Sequence, residues 1–297
     1  MRKNGTYHLK RLLPALALGT MILAAGCSND SSTQPPSEFA PPSNLTFQNL
    51  ELEGQIVLDW NGSSDEGRND FAGYNVYRSS SSLAGATNEQ LMAALITTNP
   101  VNARTYTDGT PVVGTKYFYS VRSVKDNGDL SEPANEIDTA LPMGGSIITS
   151  LAEFSAPGAS GMDLSEGQTY SVVIENLEHI DFFLGTTDDG NGPTFPLAMK
   201  SPSLLGGPNA AQWATRVAGF KLVDDPNISS TSASGFIDSI TMVPAETVDK
   251  AIVVRLPLSN GETHYGKLEI QEFTGTAPNR AVRFTWTYQP VPDYLRF

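Results

Sequence analysis

Short runs in which apolar and polar side chains alternate recur about every ten residues along most of this chain, separated by Gly, Asn, Asp or Pro, the spacing of strands in β-sandwiches. Gln55-Ile-Val-Leu-Asp-Trp60 puts Ile56, Leu58 and Trp60 on one face. Gly73-Tyr-Asn-Val-Tyr-Arg78 puts Tyr74 and Val76 on one face and Tyr77 on the other, and Lys116 to Val124 aligns Tyr117, Tyr119 and Val121. A period of two fits half-buried strands, because successive side chains of a strand point to opposite faces. Long helical periodicity is missing. Only Thr87 to Leu95 reads as helix, where Thr87 and Gln90 form a capping box for one or two turns.

The alternation continues after Leu141-Pro-Met-Gly-Gly145, whose Pro and Gly residues read as a boundary. Ala251 to Leu258 is a strand, Asn260-Gly261 signals a type I′ turn, and His264 to Phe273 returns. Ala281 to Gln289 then places Val282, Phe284, Trp286 and Tyr288 on one face. Such a meander must pack on another sheet. Thr169–Asn176, His179–Gly185, Trp213–Val223 and Phe236–Val243 are read as supplying it. The expected fold class is all-β: two sandwiches in tandem, over residues 42–142 and 146–297.

What precedes them is different in kind. Arg2, Lys3, Lys10 and Arg11 start the chain with no acid among them. Leu12 to Ala25 is apolar apart from Pro14, Gly19 and Thr20, and Ala24-Ala25-Gly26 leads into Cys27, the single cysteine. That run is short for a bilayer span, and a polar Pro-rich stretch follows it, so residues 1–26 read as an export signal. The stretch Leu23-Ala-Ala-Gly-Cys27 resembles the lipobox of bacterial lipoproteins, although the usual Leu position holds Ala24 and Leu23 lies one residue further out. The resemblance implies cleavage after Gly26, diacylglycerol on the Cys27 thiol, and, from Ser28, the outer membrane as destination. A plain secretory signal with an incidental cysteine is the alternative, and a free thiol in an oxidising compartment argues against it. Residues 27–41, rich in Ser and Pro, read as a flexible tether.

Residues 42–142 resemble a fibronectin type III domain. The likeness rests on the opening Pro41-Pro-Ser-Asn-Leu-Thr-Phe47, Trp60, the Gly73–Arg78 strand, Thr105–Val124 and Leu130–Ile137. It implies a tyrosine corner at Tyr117, its hydroxyl bonding backbone a few residues upstream. It also implies a spacer or a platform for protein contacts. The loop from Ser79 to Asn99 is longer than that family's usual one.

Residues 1–26 hold four of the nineteen basic residues and none of the thirty-two acidic ones, so removing them takes the net charge from −13 to about −17. That disfavours nucleic acid and anionic lipid surfaces. It leaves cations, neutral glycans and basic proteins. The acidic loop Asp65–Asp70 is either a calcium loop without the usual spacing or a solvated loop, and Thr187–Gly192 is a cation loop or a turn.

Three functional readings follow. The first is a non-enzymatic, lipid-anchored envelope protein that contacts other envelope proteins or serves structurally. The second is capture of an extracellular ligand. The final strands, with Tyr265-Gly-Lys-Leu-Glu-Ile270 and Val282 to Gln289, are similar to a haem-capturing family of surface lipoproteins that grips iron with two histidines. The mature chain has two, His179 and His264. For a glycan, Trp213 is the candidate stacking platform. The third reading, a carbohydrate-active hydrolase, would need a carboxylate pair that only the fold can assemble. The chain has no G-x-S-x-G, no H-E-x-x-H, no phosphate-binding glycine loop and no mature cysteine beyond Cys27. No catalytic residue, cofactor or metal site is assigned.

Overall fold

Alternation becomes two stacked pairs of antiparallel sheets in the computed structural model, which describes residues 39–50, 53–154, 156–187 and 195–297. The signal, Cys27, the tether up to Glu38 and the Asp188–Gly192 part of the glycine-rich loop lie outside the described residues.

The first sandwich contains β1 (Ser43–Leu50), β2 (Gln55–Asn61), β3 (Phe71–Ser79), β4 (Thr105–Asp108), β5 (Lys116–Lys125) and β6 (Ile137–Ala140). One sheet runs β1-β2-β4 and the other β3-β5-β6. This three-on-three order with crossing connections is a fibronectin-type-III-like arrangement. The alternating faces close on each other: Leu45, Ile56, Leu58, Trp60, Tyr74, Val76, Tyr119 and Val121 form one buried cluster. Trp60 meets Tyr74 edge to face at 5.5 Å. Tyr77, on the opposite face, is covered by the long loop, whose helix α1 (Asn88–Ala94) lays Leu91 and Ala94 beside it. The Thr87–Gln90 capping box is present, with Gln90 N donating to Thr87 Oγ1 at 3.3 Å and Thr87 N to Gln90 Oε1 at 2.8 Å.

The second sandwich contains β7 (Met143–Ala152), β8 (Gly161–Asp163), β9 (Gln168–Tyr170), β10 (Phe182–Thr186), β11 (Leu197–Lys200), β12 (Gly219–Val223), β13 (Ser239–Met242), β14 (Ala251–Pro257), β15 (Thr263–Thr274) and β16 (Ala281–Gln289). The sheets run β12-β14-β15-β16-β7 and β13-β11-β10-β8-β9. Val282, Phe284, Trp286 and Tyr288 all face the core between them, with Phe182, Leu184, Phe220 and Ile252. Full burial of one such ring, Phe284 for example, stabilises by ~2–3 kcal/mol.

Several expectations are corrected. Gly144 and Gly145 do not interrupt the strands; they lie inside β7, at φ 98° and 83°, paired with Thr287 and Trp286. Gly144 fits because a Cβ there would stand 2.3 Å from the Trp286 carbonyl oxygen. The Asn260-Gly261 turn is not type I′, which needs positive φ at two central residues; only Gly261 has it, at 90°. Its N–H instead bonds Leu258 O at 3.0 Å within a wider loop. The segment from Trp213 is a short helix, Ala210–Trp213, before the chain reaches β12, and β12 joins the sheet of β14–β16 rather than the facing one. His179 closes a 3-10 helix, Ile174–His179, rather than starting a strand.

Only Leu141 and Pro142 separate β6 from β7, and both are buried. The chain's end returns to this junction. Tyr294 Oη donates to Asp138 O at 3.0 Å, Arg296 Nη1 lies 3.2 Å from Asp138 Oδ1, and Lys116 Nζ lies 3.1 Å from Asp138 Oδ2. Burial works to raise the Asp138 carboxyl, but Lys116 and Arg296 outweigh it and hold it below its ordinary value. Residues 39–297 thus pack as one unit.

Candidate functional site

Among the described residues, one group of side chains has the composition of a ligand site: Asp163, Glu166 and His179, with donor atoms all within 4.8 Å of one another. It sits where the β8–β9 hairpin meets the end of the 3-10 helix. The turn Asp163-Leu-Ser-Glu-Gly167 builds it. Asp163 Oδ1 accepts from Ser165 Oγ at 2.7 Å and from Glu166 N at 3.0 Å, which closes the turn. Gly167 completes it at φ 66°, packed so closely on the Trp286 indole that a Cβ would come within 2.4 Å of the ring. Leu164 enters the core, and its N–H donates to Asp181 Oδ2 at 2.9 Å.

With Oδ1 committed to the turn, Asp163 Oδ2 faces His179 Nδ1 at 3.4 Å, and Glu166 Oε2 lies 3.5 Å from the same nitrogen. The Asp163 side chain is 8 % exposed, whereas His179 and Glu166 are half-exposed at 42 % and 46 %. Tyr170, on β9, holds both of the outer groups. Its ring stacks on the His179 imidazole at 4.7 Å, and its hydroxyl donates to Glu166 Oε2 at 2.6 Å. That bond to a carboxylate, then burial and the Glu166 and Asp163 charges, push the Tyr170 hydroxyl up to about 12.

A separate cleft of about 320 Å³, which none of Asp163, Glu166 and His179 lines, is bounded in part by Glu178, Asp181, Arg216 and Asn260. Arg216 Nη2 donates to Asp181 Oδ1 at 2.9 Å. Burial, followed by the Asp163 and Glu166 charges, nevertheless raises the Asp181 carboxyl to about 6, against the Leu164 amide and Arg216.

Other residues singled out from the sequence fall elsewhere. Trp213 is 5 % exposed, so it is a buried anchor for its short helix rather than a stacking platform. His264 is 7 % exposed; its Nδ1 lies 3.2 Å from Gln289 O and its ring stacks on Tyr288 at 5.6 Å. The two histidines therefore have separate partners, and a buried imidazole has no open side for haem iron. Trp60 and Tyr74 are core residues, the Tyr74 hydroxyl accepting from Ser63 N at 2.6 Å. Tyr117 Oη accepts from Val112 N, five residues upstream, at a long 3.4 Å. The stronger buried bond in that strand belongs to Tyr119, whose hydroxyl donates to Asp108 Oδ2 at 2.7 Å. The acidic loop is occupied by arginine: Arg104 Nη2 lies 2.6 Å from Glu66 Oε2 and Arg68 Nε 2.8 Å from Asp70 Oδ1. It has structural partners rather than calcium geometry.

No family model matches the chain, and no curated protein matches it. Among solved structures, a Fn3-like protein from Clostridium thermocellum is 28 % identical over 34 % of this chain and 92 % of its own, with a TM-score of 0.27. The alpha-L-rhamnosidase from Dictyoglumus thermophilum is 12 % identical, covering 77 % of this chain and 29 % of its own, with a TM-score of 0.34. The twitchin kinase region from C. elegans is 11 % identical, covering 84 % and 40 %, with a TM-score of 0.28. This chain spans less than half of the latter two. Likenesses this distant assign no activity, and the fibronectin-type-III-like character rests on the strand order itself.

Proposed function

We propose that this is an exported, non-enzymatic protein, anchored by lipid on Cys27 to the bacterial cell envelope at the outer membrane, that presents its two sandwiches as one platform for contacts with other envelope proteins. The observation that carries this reading is the junction at Asp138, where the chain's end ties the second sandwich to the first. A flexible joint would let the outer sandwich wander; a clamped one fixes the orientation in which a surface is offered. The net negative charge supports basic protein surfaces as partners. A second support is β7, an edge strand with Ile147 and Ile148 48 % and 57 % exposed. Unpaired edges and exposed apolar residues are what strand-adding or surface-docking partners take up. Diacylglycerol supplies the two chains that stable anchoring needs.

The test has two arms. Cells grown with a palmitate analogue should label the protein, and Cys27→Ser should abolish the label. A photo-crosslinking residue at Ile148 should yield one or two discrete protein adducts, where the same residue at exposed Asn127 yields none. An unlabelled wild-type chain sinks the anchor; no adduct at Ile148 sinks the contact surface.

A further inference from the structure

We infer that Asp163, Glu166 and His179 form a binding site for one divalent first-row transition cation, with Zn2+ the best match. This goes beyond the platform reading and stands independently of it.

His179 Nδ1 lies 3.4 Å from Asp163 Oδ2 and 3.5 Å from Glu166 Oε2. Charge-assisted hydrogen bonds are shorter, at about 2.7–2.9 Å. Ligands bonded at about 2.0–2.1 Å to a tetrahedral ion stand roughly 3.3 Å from each other, close to what is seen here. Both imidazole-to-carboxylate distances match those of ligands around a shared centre, and all three donor atoms lie within 4.8 Å of one another.

Asp163 is more than nine-tenths buried, its Oδ1 is committed to Ser165 and Glu166 N, and its Oδ2 is turned toward the imidazole. A buried carboxylate oxygen needs a positive partner. Arg216, the guanidinium beside the site, is paired with Asp181.

Metal ligands are held by outer groups that fix ring and carboxylate orientation. Tyr170 does this for two of them, through its ring on His179 and its hydroxyl on Glu166. The mixed donor set of one imidazole and two carboxylates selects Zn2+ and its neighbours over Ca2+, which takes six to eight oxygens. Because His179 and Glu166 are half-exposed, a fourth position opens to solvent. The site therefore ties the β8–β9 turn to the 3-10 helix and leaves one position for water or an outside donor.

The test uses the full mature chain in detergent, stripped with EDTA and titrated by calorimetry with Zn2+ and by visible absorbance with Co2+. One ion per chain should bind, with a Co2+ band of four-coordinate intensity. His179→Gln and Glu166→Gln should each weaken binding at least tenfold. Both positions are half-exposed, so far-ultraviolet circular dichroism should show both variants folded. Tyr170→Phe should weaken binding about tenfold while keeping the stoichiometry. Absence of stoichiometric Zn2+ binding, affinity unchanged in both ligand variants, or binding of Ca2+ alone that ignores His179→Gln would each overturn the inference.

Discussion

Asp108 is 2 % exposed and keeps its charge by being surrounded with donors. Arg78 Nη1 reaches its two oxygens at 2.9 and 2.7 Å, Thr110 N donates at 3.0 Å and Tyr119 Oη at 2.7 Å. Burial pulls its carboxyl upward, but these bonds win and hold it below the ordinary value. At this residue the folded chain therefore binds fewer protons than the unfolded one near pH 4. This contribution is complete above the unfolded carboxylate range and is lost as pH falls through about 4 toward the lower folded value. Asp108→Asn should flatten that acid limb of the stability curve in urea titrations at several pH values. Asp108→Ala, which strands Arg78 and Tyr119, should cost about 3 kcal/mol at pH 7. Single residues were unevenly legible in the sequence. Trp60, Tyr74 and Tyr119 follow from alternation, since period two alone assigns their faces. Trp213 did not, because a glycine-rich approach says nothing about which way an indole turns. Asp163 and Glu166 stayed hidden for a related reason: Asp-Leu-Ser-Glu-Gly has the composition of any polar turn, and His179 comes thirteen residues after Glu166.

Elements are legible in the sequence where they are long. β5, β14, β15 and β16 carry enough alternating positions to declare themselves, whereas β8, β9 and β11 have three or four residues each and no resolvable period. The Gly144-Gly145 pair reads as a boundary from sequence because glycine usually punctuates. Here it serves close packing, as Gly144 lies against Trp286. Gly144→Ala should therefore cost about 3 kcal/mol or more, from strain at φ 98° and collision with the Trp286 backbone. Gly261→Ala shares the positive φ but meets nothing within 4 Å, and should cost only about 1 kcal/mol. Equal losses in chemical denaturation would contradict this account of β7. The other end of β7 is fixed by Glu153, 1 % exposed, which accepts Arg280 Nε at 2.8 Å and Nη2 at 2.9 Å. Arg280→Ala leaves a buried carboxylate without this fork, so a loss of about 3–5 kcal/mol is expected, read from the urea midpoint.

At the scale of the whole molecule, tandem sandwiches were legible because strand spacing persists on both sides of Leu141-Pro142. Their clamping was not, since it depends on Tyr294 and Arg296 meeting Asp138 more than 150 positions earlier. Pro290, which abuts the place a Gly114 side chain would fill, and the Gln289 amide, 3.4 Å from Ala140 O, extend that junction. No helix among the described residues is long and apolar enough to cross a membrane. The central claim, that the two sandwiches act as one platform, is open to differential scanning calorimetry on the mature chain, beside a Tyr294→Ala, Arg296→Ala double variant. The account predicts one transition for the wild type, with calorimetric and van't Hoff enthalpies equal, separating into two in the variant. Two independent transitions in the wild type, unchanged by the double substitution, would contradict it.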